Sequence, residues 1–256
     1  MMQNDRWSFW LGHLIDVVRV NAVCERTIEG QQGWLKRRKL GMDQVIYLGN
    51  IFLRLSRSRI WMLPNCAVWV RWEIDCFRLL YGDRCHPQWV GDRGFWVEAM
   101  PGKSLLVRLE QGALTVDMMA AAGQAFHRAH SIHSDFFQAG WSHGDSHLAN
   151  VLYDEVSQTA SLIDFETQHW RHLSETDRQA DDLLIFVLDI LGRCDNWEKL
   201  LPAFFQSYDR PAVLHQLHQH LTLPQGWEKV LWATRSNYLA THTLSARLVI
   251  ARSHIP

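Results

Sequence analysis

No CxxC pair occurs in this 256-residue chain, and its five cysteines, at 24, 66, 76, 85 and 194, lie far apart. That spacing argues against a zinc ribbon and against a secreted disulfide framework, and implies reduced, mostly packed thiols. There is no net charge to speak of: 26 basic and 27 acidic residues leave −1, so the overall balance points neither to nucleic acid nor to an acidic membrane surface. No run approaches the ~18 apolar residues that span a bilayer. The first residues mix Asn4, Asp5 and Arg6 into an apolar stretch, which lacks the uninterrupted centre of a signal peptide. Together these absences place the chain in the cytoplasm. Repeats and low-complexity tracts are absent as well.

What the chain does have is core-forming material: 47% of its residues are hydrophobic, ample for one large domain or two small lobes. Thirteen tryptophans read as amphipathic core and groove-lining side chains. Fourteen histidines suggest metal binding, but His215, His218 and His220 fall on a predicted helix or its end without a companion carboxylate pattern, so a solvated face is the default.

Trp7, Trp10, Leu11, Leu14, Val17 and Val18 recur at helical spacing, which predicts an amphipathic helix within residues 1–21 that packs on the domain after it. From Ala22 to Arg59 short β-prone runs are broken by glycine: Trp34 to Arg38, Val45 to Leu48 and Ile51 to Leu55 read as strands of a small antiparallel sheet. Helical period returns over Val68 to Leu80, with Trp69, Trp72, Cys76, Phe77 and Leu80 on one stripe. Gln88 to Val90 and Gly94 to Glu98 read as two further strands, and Pro101 with Gly102 as a break. Beyond it helices are expected over Val116 to His130, Asp181 to Leu191, Trp197 to Tyr208, Pro211 to His220 and Gly226 to Arg247, interrupted by a β-rich insert from Asn150 to Phe165.

The segment with the most chemistry is WSHGDSHLANVLYDEVSQTASLIDFE, Trp141 to Glu166. A polar cluster, an apolar strand, a turn and a second apolar strand ending in Asp bring Asp145, Asn150 and Asp164 to one edge of a hairpin. Phosphoryl transfer needs a carboxylate to orient and accept the proton of the attacking hydroxyl, and oxygen ligands for the magnesium that bridges nucleotide phosphates. A lone His-Gly-Asp would read as a polar turn. Here the Asp-to-Asn spacing, the strand and IDFE agree.

HGDSHLANVL is similar to the HGDLHPGNVL-type catalytic loop of the aminoglycoside phosphotransferase and choline kinase group of the protein-kinase-like superfamily, and IDFE resembles the superfamily's DFG. The resemblance covers about residues 22–195 and is strong between 141 and 186. It implies an α+β bilobal fold, with a small antiparallel-sheet lobe over 22–100 and a mainly helical lobe over 101–256. It implies ATP and Mg2+ as cofactors, Asp145 as catalytic base, Asn150 and Asp164 as magnesium ligands, and His143 as a buttress of the loop. RQADDLLIF resembles the helix whose starting Asp holds the catalytic loop through backbone N–H groups; Asp182 fits that role, with Asp181 beside it as the alternative. VEAMPGKSL resembles the hinge, where the main chain around Glu98 to Met100 would meet adenine.

The superfamily also places a lysine on its third strand, paired with a glutamate on the next helix to hold the phosphates. Glu73 fits the glutamate. For the cation, Arg54 in IFLRL has the expected place, whereas Lys36 in GWLKRR has the right chemistry on an earlier strand, and arginine's planar fork does not substitute for an ammonium. EGQQGW offers Gly30 and Gly33 in place of a GxGxxG loop.

The resemblance implies transfer of the γ-phosphoryl of ATP to a hydroxyl. His147, the DFE and the fifteen residues between Glu166 and Asp182, too few for a peptide-docking segment, favour a small molecule or sugar as acceptor. A glycolipid acceptor is a variant, one that would bring the chain into peripheral contact with a membrane. The alternatives are a compact RIO-like Ser/Thr protein kinase and a nucleotide-binding pseudokinase.

Overall fold

The computed structural model describes residues 20–256; the helix expected within 1–21 lies outside the described residues except at its last positions. The fold is α+β. Two strands, β1 (Asn21–Ile28) and β2 (Gln31–Arg38), form a hairpin, joined to β4 (Gln88–Trp89) and β5 (Gly94–Glu98) in an antiparallel sheet of order β1-β2-β5-β4. Glu29 and Gly30 both have positive φ, 51° and 81°, as a two-residue primed turn requires, so the glycine-containing EGQQGW segment is a tight hairpin turn. Gly33 lies where β2 crosses β5, and a Cβ there would sit 2.3 Å from the Val97 carbonyl oxygen.

Alternation along β2 sends Lys36 and Arg38 to the same face. That face meets helix α2 (Cys66–Tyr81), where the Arg38 guanidinium lies 4.5 Å from the Trp69 ring centre. Asn65 starts α2 by accepting from the Val68 N–H, and the helix buries Trp69, Val70, Trp72, Glu73, Ile74, Cys76 and Phe77.

The strands expected at Val45 to Leu48 and Ile51 to Leu55 do not form. Residues Met42–Leu55 are a single helix, α1, that buries Ile46 and half-buries Asn50 and Leu53, an i, i+4, i+7 stripe. Val45, Tyr47, Leu48, Ile51 and Leu55 are apolar yet exposed, and this doubled apolar content is what imitates strands. Gly49, between the two runs, sits inside the helix at a tolerable cost of about 1 kcal/mol. Asn50 explains how α1 is fixed: its side-chain N–H donates to the Met62 carbonyl (2.7 Å) and its oxygen accepts the Met62 N–H (2.8 Å). Met62 ends β3 (Ile60–Met62), which pairs with β11 (Thr167–His169), so the α1–α2 connection is stitched to the chain just beyond Glu166.

After the turn at Pro101 and Gly102, β6 (Lys103–Ser104) joins β9 (Val151–Asp154) and β10 (Thr159–Leu162) in a sheet of order β10-β9-β6. A short helix α3 (Leu105–Glu110) leads to α4 (Val116–His130), and β7 (His133–Ser134) and β8 (Ala139–Gly140) pair before the motif segment. Then follow α5 (Glu175–Arg193), α6 (Trp197–Tyr208), α7 (Pro211–His220), α8 (Glu228–Arg235) and α9 (Thr241–Ser253). Helix α5 is buried continuously from Arg178 to Leu191, as befits an element packed on all sides. Around it Phe126, Phe186 and Phe204 interlock, with ring centres 5.3, 5.8 and 4.6 Å apart. The helix expected from Gly226 to Arg247 is two helices: Asn237 and Tyr238 take φ of 48° and 58° and turn the chain, with no glycine or proline to announce it.

Phe126, fully buried in that aromatic cluster, sets a stability test. Phe126→Ala should lower unfolding free energy in urea by about 3–5 kcal/mol. Val156→Ala, at a residue 94% exposed, should stay within about 0.5 kcal/mol of the parent.

Candidate active site

The buried Lys36 ammonium is surrounded by carboxylates. Its Nζ lies 2.7 Å from Glu73 Oε1 and 2.7 Å from Glu166 Oε1, and it also hydrogen-bonds Asp164. Burial by itself would lower the Lys36 pKa, but Asp164, Glu166 and Glu73 together hold it well above its ordinary value, so Lys36 is charged. Glu73, with no exposed surface, accepts further bonds from Trp69 Nε1–H (3.1 Å) and the Phe165 N–H (3.0 Å). Burial pushes Glu73 up to about 7 against the pull of Lys36, and Asp164 and Glu166 add to the rise. Asn21 donates to Glu166 Oε1 at 2.7 Å.

The cation of this cluster is Lys36 and not Arg54. Because residues 51–55 are helical, Arg54 projects from α1 into solvent, while period-2 alternation on β2 delivers Lys36 to Glu73. Glu166 and Asn21 are partners that sequence reasoning did not assign. Glu166 stands two residues after Asp164 in the same motif segment. Asp164 has φ 67°, a left-handed conformation that costs a non-glycine residue on the order of 1–3 kcal/mol and is sustained only by firm surroundings.

A second assembly holds the loop from His143 to Asn150. The Asp182 carboxylate, wholly buried on α5, accepts the His143 N–H and the Gly144 N–H, each at 2.7 Å. His130 Nε2 lies 3.1 Å from Asp182, and His130 Nδ1 lies 2.8 Å from the Tyr208 hydroxyl. Burial works against the charge on Asp182, yet His169, together with His130 and its hydrogen bond, keeps the carboxyl below its ordinary value. Asp181, the alternative, faces away from the loop backbone toward His169, Arg59 and Arg235. Gly144, at φ 88°, leaves no room for a side chain: a Cβ would meet Thr167 Oγ1 at 2.5 Å.

His143 joins the two assemblies. Its Nε2–H donates to the Ile163 carbonyl (2.9 Å), one residue before Asp164, and Nδ1 accepts the Asp145 N–H (3.2 Å). Burial lowers its pKa, which suits this neutral tautomer. Asn150 donates from Nδ2 to the Asp145 carbonyl (2.8 Å), which turns its amide nitrogen onto the loop and leaves the side-chain oxygen as the end able to ligate a cation. The Asp145 side chain is 39% exposed, with His147 Nε2 3.6 Å from its Oδ2.

Of the hinge residues, Glu98 ends β5 with His86 Nδ1 3.4 Å from its carboxylate, the next N–H, of Ala99, donates to the Gln32 carbonyl, and Met100 packs partly buried on the core. Among the described residues no helix is long and apolar enough to cross a membrane.

Glu73, Asp164 and Glu166 offer carboxylate oxygens within 4.8 Å of one another. With Lys36 the only ammonium among them, the group carries two negative charges in excess when all are ionised. Hard oxygen donors in surplus fit a divalent cation such as magnesium.

No protein-family model matches this sequence, and no curated protein does. Among solved structures, the bifunctional kinase-methyltransferase WbdD, in a medium-resolution structure, matches with 16% identity and a TM-score of 0.41. The match covers 82% of this chain and 47% of that one, so this chain spans about half its length. At that score the likeness carries no functional weight, and the chemistry rests on the residues described above.

Removing one partner from a buried ion-paired group costs about 3–5 kcal/mol. Lys36→Met should therefore be destabilised by that order. Carboxyls whose folded-state pKa lies above the ordinary value weaken the fold as pH rises between the two, which for Glu73 means from 4.5 to about 7. Without Lys36, which pulls Glu73 down, that weakening is steeper, so the deficit of Lys36→Met relative to the parent should be larger at pH 8 than at pH 5, as measured by denaturant unfolding.

Proposed function

We propose that this chain is an ATP-dependent phosphotransferase that moves the γ-phosphoryl group to a hydroxyl of a small molecule or sugar. The observation that carries the reading is the ion pair between Lys36 and Glu73 set directly against Asp164. An ammonium held by one carboxylate and adjoining a second is what the nucleotide phosphates require on one side and their counter-cation on the other. Lys36 also supplies the cation whose absence would have favoured a non-catalytic pocket.

In this reading the sheet carrying Lys36, together with α2, is one lobe, the helical region beyond about Met100 is the other, and backbone around Glu98 to Met100 receives adenine. Asn150 and Asp164 would hold magnesium, with Glu166 beside them, and the ion would supply charge neutralisation at the phosphates. Lys36 contributes the same kind of charge from β2. Asp145, exposed to solvent and held by its own backbone through His143 and Asn150, orients the acceptor hydroxyl and takes up its proton. Asp182 keeps the loop in place by fixing the His143 and Gly144 N–H groups. The short stretch between Glu166 and α5, part of it committed to β11, supports a compact acceptor over a peptide.

The test is a coupled ADP-release assay across small hydroxyl compounds and sugars, beside calorimetric titration with ATP and magnesium. Turnover should depend on Asp145, with Asp145→Asn lowering kcat by about 10²- to 10⁴-fold and leaving ATP affinity near that of the parent. Asp164→Asn should abolish magnesium-dependent ATP binding. Equal turnover in Asp145→Asn and parent, or ATP binding indifferent to Asp164, would refute the proposal.

A further inference from the structure

A cavity of about 350 Å³ lies on another part of the molecule, between the loop after α1 (residues 56–59), Asp181 of α5, His220 at the end of α7, and α8. Its walls carry Arg57, Arg59 and Arg235 against two carboxylates, Asp181 and Glu228. Asp181 is already committed: Arg59 Nη1 lies 3.5 Å from one of its oxygens, and Arg235 Nη2 (3.7 Å) and His169 Nε2 (3.4 Å) lie near the other. These cations outweigh burial and keep it ionised.

Two arginines at the cavity carry donors without a matched acceptor. The Arg235 side chain is only 10% exposed, and its Nη2 is buried with no hydrogen-bond partner. Arg59 directs Nη1 and Nη2 at the two ring nitrogens of His220, at 2.8 and 3.0 Å, while Gln216 Nε2, 3.0 Å from His220 Nε2, donates to Asp177 Oδ1 at 2.8 Å. Burial and the neighbouring Arg59 charge push His220 toward its neutral form, which has a single acceptor nitrogen. The two Arg59 nitrogens therefore face one lone pair. Arg57, exposed at the rim, adds a further guanidinium.

A buried guanidinium nitrogen without an acceptor forfeits the hydrogen bond that water would give it. An anion with several oxygen lone pairs supplies the missing acceptors, and the planar guanidinium fork matches such a group. We propose that this cavity binds an oxyanion of the phosphate type, held by Arg235 and Arg59 with Arg57 at its rim. The inference stands on this geometry and is independent of phosphotransfer at Lys36.

Inorganic phosphate, added to the full chain without nucleotide or divalent metal, is the probe, followed by calorimetry and by the thermal midpoint. Arg235→Gln should weaken phosphate binding by at least about tenfold and Arg57→Ala by a few-fold. Arg57 is exposed, so its removal leaves folding intact and its result decides the matter even where Arg235→Gln fails to fold. A parallel arm uses phosphatidylcholine vesicles containing phosphatidic acid: arginine-dependent binding to vesicles alone assigns the phosphate to a lipid headgroup, and binding of free phosphate assigns it to a dissolved anion. Phosphate binding unchanged in Arg57→Ala, or none in either arm, overturns the proposal. Neither readout depends on turnover, so its failure is separate from failure of the kinase reading.

Discussion

The salt bridge from Lys36 to Glu73 is the contact on which the site depends, because it fastens the sheet to α2 and both to the chain around Asp164. Its partners come from β2, from α2 and from the turn after β10, three pieces remote in sequence. Charges so deeply buried hold together only when each is matched and hydrogen-bonded. Glu73 meets that demand through Trp69 one helical turn before it and through the Phe165 N–H, and Glu166 through Asn21. The group as a whole carries surplus negative charge.

Asp182 does the corresponding work below. One carboxylate satisfies two consecutive backbone N–H groups of the motif loop and also meets His130, whose other nitrogen reaches Tyr208 on α6. The loop geometry is thus an output of helix packing. The aromatic cluster that seats α4, α5 and α6 sets the position of Asp182, and through it the backbone that carries Asp145. His143 then relays that position to Ile163 and so to Asp164.

The sequence made much of this legible. Helices at 116–130, 197–208 and 211–220 and the strand at 94–98 stand where periodicity put them, and the Asp182 carboxylate accepts the His143 and Gly144 N–H groups. The misleading signal is local: the apolar residues on the outer face of α1 imitate strands, and Arg54 reads as a strand residue because of them. The turn at Asn237 and Tyr238 carried no glycine or proline. The pairing of β3 with β11 was invisible, since a three-residue strand has no period to read.

By itself the sequence determined which chemistries are present: the carboxylates, the amide and the imidazoles of residues 143–166, the glutamate at 73 and a lysine at 36. Their order and spacing follow from local rules, because alternation and helical period act over a few residues. Only the tertiary structure decided that Lys36 and not Arg54 meets Glu73, that Glu166 and Asn21 complete the cluster, and that Arg59, Arg235 and His220 converge around one cavity. Those choices join residues 15 to 176 positions apart. They are settled by how sheets and helices pack and by which buried charges find partners, conditions that no local stretch of sequence contains.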